Sequence, residues 1–372
     1  MYMPLIKQLA TQASTQPSTQ TYCRNFSPKM SSPKTALVLA LSALTLFMSP
    51  AQAADAPVQV QPVPLVQEGR FFPGFGNEGF IVTRYTIKAD GSTDDIEIIG
   101  GFTNPFYEKA IKESVSKWTF TPGTVNGEPA DFLNQEYTFR VKISEQLASS
   151  PDFQEAYAKL SEQVAAKEFE DAKKTIRNIL REHAHTVLDY AVANQELSKV
   201  EVQLQDLFAA LESVKKATMS NVDAAGTTEY MLTPELLESA LRQQLILAAG
   251  VFQHGEVVRT WDMLNSNFTI PADDRLHAIV AASQEKLNSP DPLAALGKII
   301  EDQWTYAPVH RIFTVADIAG ELDTITARCE HRNLELEYQP DVDWTLPPAL
   351  GACVLDFEGD DGTTFTLYEF KE

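Results

Sequence analysis

Hydrophobic and polar residues alternate along several short stretches in the first half of the chain, a pattern typical of strands with one buried face. The first stretch, Phe80 to Ile87, stops at Asp90-Gly91, a dipeptide that favours a hairpin turn. A second strand is predicted over Ile96 to Ile99, and Pro105 fits the first position of a helix. Alternation returns from Tyr137 to Ile143. The pattern predicts the order strand, strand, helix, strand.

Further along the chain the hydrophobic residues recur every three or four positions, which indicates helices with one buried face. Helices are predicted over Phe153 to Val164 and Phe169 to Leu180, and Thr233-Pro234 opens another pair. Four positions of that pair resemble a tetratricopeptide repeat in their spacing, namely Leu247, Ala248, Gly255 and Leu264. The resemblance implies a tetratricopeptide-like array of helical hairpins over residues 150–300, with a generic helical bundle as the alternative.

Strand patterns return in the last region, which the sequence assigns to residues 303–372. Aromatic and β-branched residues alternate there between turn clusters rich in Pro, Gly and Asp. The predicted strands are Ile312 to Val315, Leu322 to Ala327, Leu334 to Tyr338, Cys353 to Phe357 and Thr364 to Phe370. Together they predict a small antiparallel β domain.

The N-terminus has the features of a secretory signal peptide. Lys34 supplies a positive charge, the stretch from Thr35 to Met48 is apolar, and small residues follow it. This apolar stretch is shorter than the ~20 residues that span a bilayer. We therefore expect a signal peptide over residues 30–53 with cleavage between Ala53 and Ala54. An uncleaved membrane anchor is the alternative.

The segments on either side of the signal peptide have distinct compositions. Residues 1–29 are rich in Gln, Ser and Thr, and we expect them to be disordered or to result from a mis-called start. Residues 54–69 contain prolines that prevent a helix, which predicts a short Pro-rich tether.

The cysteines of the β domain, Cys329 and Cys353, are candidates for a disulfide. Cys23 precedes the predicted cleavage point, so these two would be the remaining cysteines of an exported chain, where thiols oxidise. Such a bond would stabilise its domain by about 3 kcal/mol in the chain-entropy model. Two unpaired buried thiols are the alternative.

The chain contains 51 acidic and 30 basic residues and carries a net charge of −21 at pH 7. Binding to nucleic-acid phosphates or anionic lipid heads requires clustered Lys or Arg. Nucleic acid is therefore not expected as a partner. We also expect no stable membrane insertion after cleavage, because no later stretch is long and apolar enough to cross a bilayer.

The first β region carries a set of motifs that resembles the C-terminal domain of TonB-type proteins. The motifs are Gly79-x-Ile81, Ile87-x-x-Asp90-Gly91, Ala110, Trp118-x-Phe120-x-Pro122, Asn126-Gly127 and an aromatic-aliphatic strand that closes the region. The resemblance runs from Gly79 to Ile143 inside a domain that we place at residues 70–147. It implies a location in the periplasm of Gram-negative bacteria.

The resemblance also implies a mode of binding. Domains of this family hold a short peptide of an outer-membrane transporter by adding it as a strand to their sheet. A small open sheet suits this role because unpaired backbone groups line its edge. The candidate peptide-binding edge consists of Tyr137, Thr138, Phe139, Arg140 and Val141.

Motifs for catalysis or metal binding are weak in this sequence. Gly74 to Gly79 match G-x-G-x-x-G, but the match precedes a strand and does not open a helix, so we interpret it as a loop. Four acidic residues lie before Gly362 in a weak resemblance to a calcium loop, and a hairpin turn explains them more simply; they are Asp356, Glu358, Asp360 and Asp361. We predict no cofactor and no metal site.

The sequence thus predicts an α+β protein with a TonB-like ββαβ domain, a central array of helical hairpins and a C-terminal antiparallel β domain. The predicted function is that of a periplasmic adaptor accessory to TonB-type outer-membrane transport. Its predicted partner is an envelope protein, such as an outer-membrane transporter or its peptide. Two alternatives stay open, an envelope assembly scaffold that binds through the helical array and an uncharacterised periplasmic enzyme.

Overall fold

The alternating region folds into a three-stranded antiparallel sheet with one helix on it, as the sequence predicts. The structure is a computed structural model that describes residues 59–66, 78–102, 105–141, 149–221, 232–339 and 342–371. The elements of its first region are β1 (Gln59–Val60), β2 (Pro64–Val66), β3 (Gly79–Ile87), β4 (Thr93–Phe102), α1 (Pro105–Val115), β5 (Thr119–Phe120), β6 (Thr124–Val125), β7 (Glu128–Pro129) and β8 (Phe132–Val141). The main sheet has the strand order β4-β3-β8.

The segment predicted as a tether is bound to this domain over its described residues. β1 pairs with β6, and β2 pairs with β5, both antiparallel. The main chain of Thr121 also donates a hydrogen bond to the carbonyl of Val63 at 2.8 Å. Prolines prevent a helix here but tolerate an edge strand, which explains why this segment is extended and paired. Residues 59–66 are therefore not a free spacer, which corrects the tether prediction for this stretch.

One face of the main sheet packs against α1. Its core is formed by Ile81, Tyr85, Ile87, Tyr107, Ile111, Val115, Trp118, Phe120, Phe132 and Phe139. Trp118 is 3% exposed and lies edge-on to the ring of Tyr85, with 5.7 Å between the ring centroids. Trp118 is therefore a core residue of this face.

The opposite face of the sheet packs against the helical region. Phe102 of β4 stacks on Tyr190 with 4.9 Å between ring centroids, and Phe80 of β3 meets the same ring edge-on at 5.8 Å. Val82 and Met219 extend this contact into one hydrophobic cluster with the helices. Burial raises the pKa of Tyr190 to about 12, so its phenol stays neutral in this contact. The sheet is thus covered on both faces.

The central region is an array of helices that follow one another along the chain. Its elements are α2 (Pro151–Ala165), α3 (Phe169–Glu182), α4 (Val187–Gln203), α5 (Leu207–Thr218), α6 (Pro234–Gly250), α7 (His254–Asn267) and α8 (Leu276–Asn288). Ser150 and Thr233 cap α2 and α6 with their side chains, each followed by Pro in the first turn, as the sequence predicts. Each helix packs on the next one along the chain.

Three helical hairpins of this array share one turn geometry. Three residues link the helices in each case, and the central residue is left-handed, with φ of 62° at Lys167, 64° at Gln205 and 61° at Phe252. The three turn amides donate to carbonyls four, three and five positions earlier in every hairpin. The array is therefore a true structural repeat of helical hairpins. Its assignment to the tetratricopeptide type stays a prediction.

The last region is a sandwich of two antiparallel sheets. Its strands are β9 (Leu293–Lys298), β10 (Gln303–Tyr306), β11 (Ile312–Ala319), β12 (Leu322–Cys329), β13 (Asn333–Leu336), β14 (Trp344–Thr345), β15 (Cys353–Gly359) and β16 (Thr364–Phe370). The sheet orders are β10-β15-β12-β13 and β14-β11-β16-β9. A disulfide joins Cys329 and Cys353, which are register partners of β12 and β15.

This β domain begins earlier than the sequence indicates. Residues 293–298 lie inside the predicted helical array but form β9, which pairs with β16 along its length. The run Leu293-Ala294-Ala295-Leu296 consists of good helix formers, so tertiary pairing overrides local propensity here.

The predicted signal peptide, its cut between Ala53 and Ala54, and residues 1–29 all lie outside the described residues. Among the residues that the structure describes, no helix has the length and apolar character that a membrane span requires.

Substitution of Trp118 tests the core of the TonB-like sheet. Trp118→Ala should lower the free energy of unfolding by about 3 to 5 kcal/mol, because it leaves a cavity between α1 and the strands. Urea unfolding followed by circular dichroism measures the change. Val63→Ala is the control, since Val63 is 58% exposed and surface substitutions usually change stability by about 0.5 kcal/mol or less. An unchanged midpoint for Trp118→Ala would contradict this core assignment.

His254 at the start of α7 should make stability depend on pH. Burial, and secondly the charge of Lys286, lowers its pKa from 6.5 to about 4. The unfolded chain therefore takes up a proton between these values that the folded chain does not, so stability falls as pH drops from 6.5 towards 4. We expect His254→Gln to reduce the loss of stability between pH 7 and pH 5, as measured by urea midpoints. Equal losses in both proteins would rule out His254 as the source.

Candidate functional site

β8 forms one lateral edge of the main sheet. It pairs with β3 in an antiparallel register that sets Arg140 opposite Phe80 and Tyr137 opposite Thr83. β8 begins at Phe132, five residues before the predicted start at Tyr137, and residues 142 and 143 of the predicted strand lie outside the described part of the chain. The five predicted edge residues therefore occupy the second half of the strand.

The predicted edge residues divide between the two faces of the sheet. Tyr137 and Phe139 lie on the α1 face, where Phe139 is buried and 38% of Tyr137 is exposed. Thr138 and Arg140 alternate with them and are half-buried. The Nε atom of Arg140 donates a hydrogen bond to the carbonyl of Ser220 at 2.6 Å, which ties the strand to the helical array. Val141 is the last residue of β8.

An aromatic group borders the edge on the α1 face. The ring of Tyr137 lies edge-on to Trp118 at 5.1 Å and to Phe139 at 4.9 Å. Tyr85 lies beneath them, and burial, with a smaller contribution from Tyr137, raises its pKa to about 12. Tyr137 is thus a preorganised apolar surface at the rim of the sheet, held in place by core residues.

Charged residues border the edge on the face opposite α1. Arg84 of β3 lies between Glu97 of β4 and Glu136 of β8, with N···O distances of 3.9 and 3.3 Å. Arg84 has 16% of its side chain exposed, compared with 47% for Glu136. A half-exposed carboxylate therefore stands at the edge beside the aromatic group.

The first residues of β8 are covered by the C-terminal β domain. Residues Cys329 to Asn333 form the turn between β12 and β13, which we call the 329–333 turn. The amide of Leu133 donates to the carbonyl of Glu330 at 2.6 Å, and the side-chain amide of Asn134 donates to the carbonyl of Cys329 at 2.8 Å. One main-chain and one side-chain hydrogen bond thus join the start of this edge to the 329–333 turn.

Further contacts hold the 329–333 turn against the TonB-like region. His331 lies edge-on to Phe132 at 5.0 Å and makes a hydrogen bond to the side chain of Gln59 at 2.9 Å. Gln61 donates to the carboxylate of Glu330 at 2.8 Å. The Cys329–Cys353 disulfide lies directly at the base of this turn. The segment at residues 59–66, the strand β8 and the C-terminal β domain therefore meet at one junction.

The sequence does not predict this junction. Its one local signal is Asn134, which adopts a left-handed conformation with φ of 55° and is an amino acid that tolerates it. No pattern in the sequence connects Leu133 or Asn134 with Glu330 or His331, which lie almost 200 positions away.

The opposite lateral edge of the sheet, β4, is less suited to accept a strand. Asp94, Asp95 and Glu97 are exposed along it, and Asp95 has a positive φ of 49°. Its pairing with β3 is interrupted by two register shifts. Charges and bulges are common devices that keep an edge from pairing. β8 is therefore the better candidate of the two.

The acidic residues near the C-terminus have structural roles. Asp356 accepts hydrogen bonds from Thr305 and Arg328, and the carboxylate of Asp361 accepts from the amide of Glu301. Within the described part of the chain, no group of His, Cys, Asp or Glu side chains has an arrangement that could hold a metal ion.

Comparison with known proteins points to the same region. Residues 75–141 match the sequence model of the Gram-negative bacterial TonB protein C-terminal family. The solution NMR structure of the Pseudomonas aeruginosa TonB CTD is 24% identical, with a TM-score of 0.20, and the alignment covers 23% of this chain and 90% of that one.

A structure of the TonB2 protein from Vibrio anguillarum is 20% identical, with a TM-score of 0.19, and the alignment covers 32% of this chain and 99% of that one. No curated protein shows significant similarity to this chain. The match to the family model alone assigns residues 75–141 of this chain to a domain of the TonB C-terminal type.

Proposed function

We propose that this protein is a periplasmic adaptor that holds an extended segment of an outer-membrane protein against β8, as an accessory to TonB-type transport. The observation that carries the proposal is the β8 edge itself, which lies in the domain of the TonB C-terminal type. Tyr137 is partly exposed beside it, and the amide of Leu133 at its start donates a main-chain hydrogen bond to the 329–333 turn. Adding a strand gives affinity through main-chain hydrogen bonds and specificity through the side chains beside them.

The adaptor role follows from what the sheet is attached to. Phe80 and Phe102 pack on Tyr190 of α4, so the sheet and the helical array are held together by buried aromatic contacts. A partner on β8 would be presented next to the array, which offers a second surface. The proposal assigns no catalytic role to the chain.

A groove between α2 and α3 favours a second candidate, an envelope assembly scaffold. The groove has a volume of about 680 Å³ and is lined by charged residues of both signs, including Glu155, Lys159 and Lys174. Helical arrays commonly bind partners along extended surfaces of this kind. In this alternative the sheet serves as a docking module.

Site-specific photo-crosslinking in cells distinguishes the two candidates. We expect a benzoylphenylalanine at Tyr137 to form an adduct with an outer-membrane protein, since the ring would lie beside a bound strand. The same group at Lys159 in the groove serves as the matched probe of the array. Mass spectrometry of the adducts identifies the partner and the crosslinked segment. Adducts at residue 159 with none at residue 137 would refute the edge as the binding surface and support the scaffold.

The junction at the start of β8 can be tested in the isolated protein. Asn134→Gly keeps the left-handed backbone but removes the side-chain donor to Cys329 and Asn333. We expect the amide of Leu133 to exchange with deuterium on the order of tenfold faster, because a lost hydrogen bond costs about 1 kcal/mol or more. Hydrogen-exchange mass spectrometry measures the change.

Asn126→Gly is the matched control, since Asn126 also has a positive φ, 53°, and lies in the turn before β7. It should leave the exchange of Leu133 unchanged. Protection of Leu133 that persists in Asn134→Gly would show that the 329–333 turn does not depend on this contact.

A further inference from the structure

A row of alternating charges crosses the main sheet and ends at β8. Glu97, Arg84 and Glu136 are register partners on three neighbouring strands. Because cross-strand neighbours on one face lie about 5 Å apart, a strand added to β8 would set one of its side chains beside Glu136. Opposite charges in such positions stabilise pairing and like charges destabilise it. The row therefore ends at the carboxylate of Glu136, beside which a basic residue of an added strand would continue the alternation of charge.

Arg328 of the C-terminal domain lies near this row, but its side chain already pairs with another carboxylate. Arg328 of β12 donates to Asp356 through both Nε and a terminal nitrogen. Burial opposes its charge, but Asp356 and, at longer range, Glu136 and Glu97 raise its pKa. The side chain of Glu136 is 47% exposed, so an incoming residue can reach it.

The neighbouring position on the other face has a different chemistry. Tyr137 follows Glu136 directly, so a strand beside β8 that passes Glu136 with one side chain passes Tyr137 with the next. The ring of Tyr137 is fixed by Trp118 and Phe139 and has 38% of its surface exposed. Aromatic and β-branched side chains pair best with such a ring across strands.

The 329–333 turn sets the length of the surface. It engages Leu133 and Asn134, and among the described residues no further strand pairs with Gln135–Val141 on the side away from β3. Glu136 and Tyr137 therefore lie at the end of the available edge that adjoins the C-terminal domain.

We propose that β8 selects an extended protein segment in which a Lys or Arg directly adjoins an aromatic or β-branched residue, with the basic side chain on Glu136 and the apolar one on Tyr137. This inference rests on the proposed function and specifies the partner. Such a segment differs from an acidic or uniformly polar strand, which β8 would bind more weakly.

Binding of synthetic peptides to the full mature chain tests the proposal. The probes are three fluorescein-labelled peptides, Thr-Ser-Thr-Lys-Tyr-Thr-Ser-Thr and its variants with Glu for Lys or Ser for Tyr, measured by fluorescence anisotropy. We expect the Lys-Tyr peptide to bind about fivefold more tightly than the Glu-Tyr peptide, the effect of one cross-strand charge pair. High salt should reduce that preference.

Two variants assign the preference to the named residues. Glu136→Lys should reverse the order of the Lys-Tyr and Glu-Tyr peptides, and Tyr137→Ser should abolish the advantage of the Lys-Tyr over the Lys-Ser peptide. Glu128→Lys is the control, because Glu128 is exposed in the same domain but lies on β7. It changes the net charge equally and should leave the order unchanged.

The outcomes separate this inference from the proposed function. Two results would overturn the inference and leave the adaptor role standing. In one, Glu136→Lys and Glu128→Lys change the preference for Lys by the same amount. In the other, all three peptides bind with equal affinity. The absence of a photo-adduct at residue 137 in cells would overturn the adaptor role itself. Circular dichroism confirms that each variant is folded before binding is measured.

Discussion

A three-stranded sheet has two broad faces, and the burial of the second face determines how this chain is built. α1 covers one face, as in any strand-strand-helix-strand unit, but Phe80, Val82 and Phe102 on the other face need a partner from elsewhere in the chain. Tyr190 of α4 and Met219 supply it. This contact fixes the orientation of the sheet on the helical array, and it leaves the lateral edge of β8 as the surface at which the sheet can be extended.

Local patterns predicted the parts of the fold that depend on one face being buried. The period of two along β3 and the caps at Ser150 and Thr233 are of this kind, and the structure has them where the sequence indicates. The hydrophobic pattern was less informative for a helix that is buried on nearly every side. α4 buries Asp189, Asn194, Gln195, Ser198 and Glu201 among its apolar residues, so its sequence has no clear polar face.

The candidate site divides in the same way. Tyr137 and Phe139 could be assigned to an edge strand because their alternation and the motifs around Trp118 are local. The contact with the 329–333 turn could not be predicted from the sequence, because it joins Leu133 and Asn134 to residues of another domain through single hydrogen bonds. Such contacts depend on how complete domains pack and have no signature in either segment alone. The turn covers only the first residues of β8, Leu133 and Asn134, and therefore does not close the edge as a whole.

The three hairpin turns have the same backbone geometry, whereas the connections between hairpins do not have the same length. Within each hairpin the connection is three residues held by the same hydrogen bonds, around Lys167, Gln205 and Phe252. Between hairpins the connection lengths differ, from residues 183–186 to residues 219–233. The hairpin is therefore the constant unit of the array, and the connection between hairpins is the part that differs in length. A reporter inserted at residues 219–220 would disturb the sheet, because Met219 packs on it and the carbonyl of Ser220 accepts a hydrogen bond from Arg140.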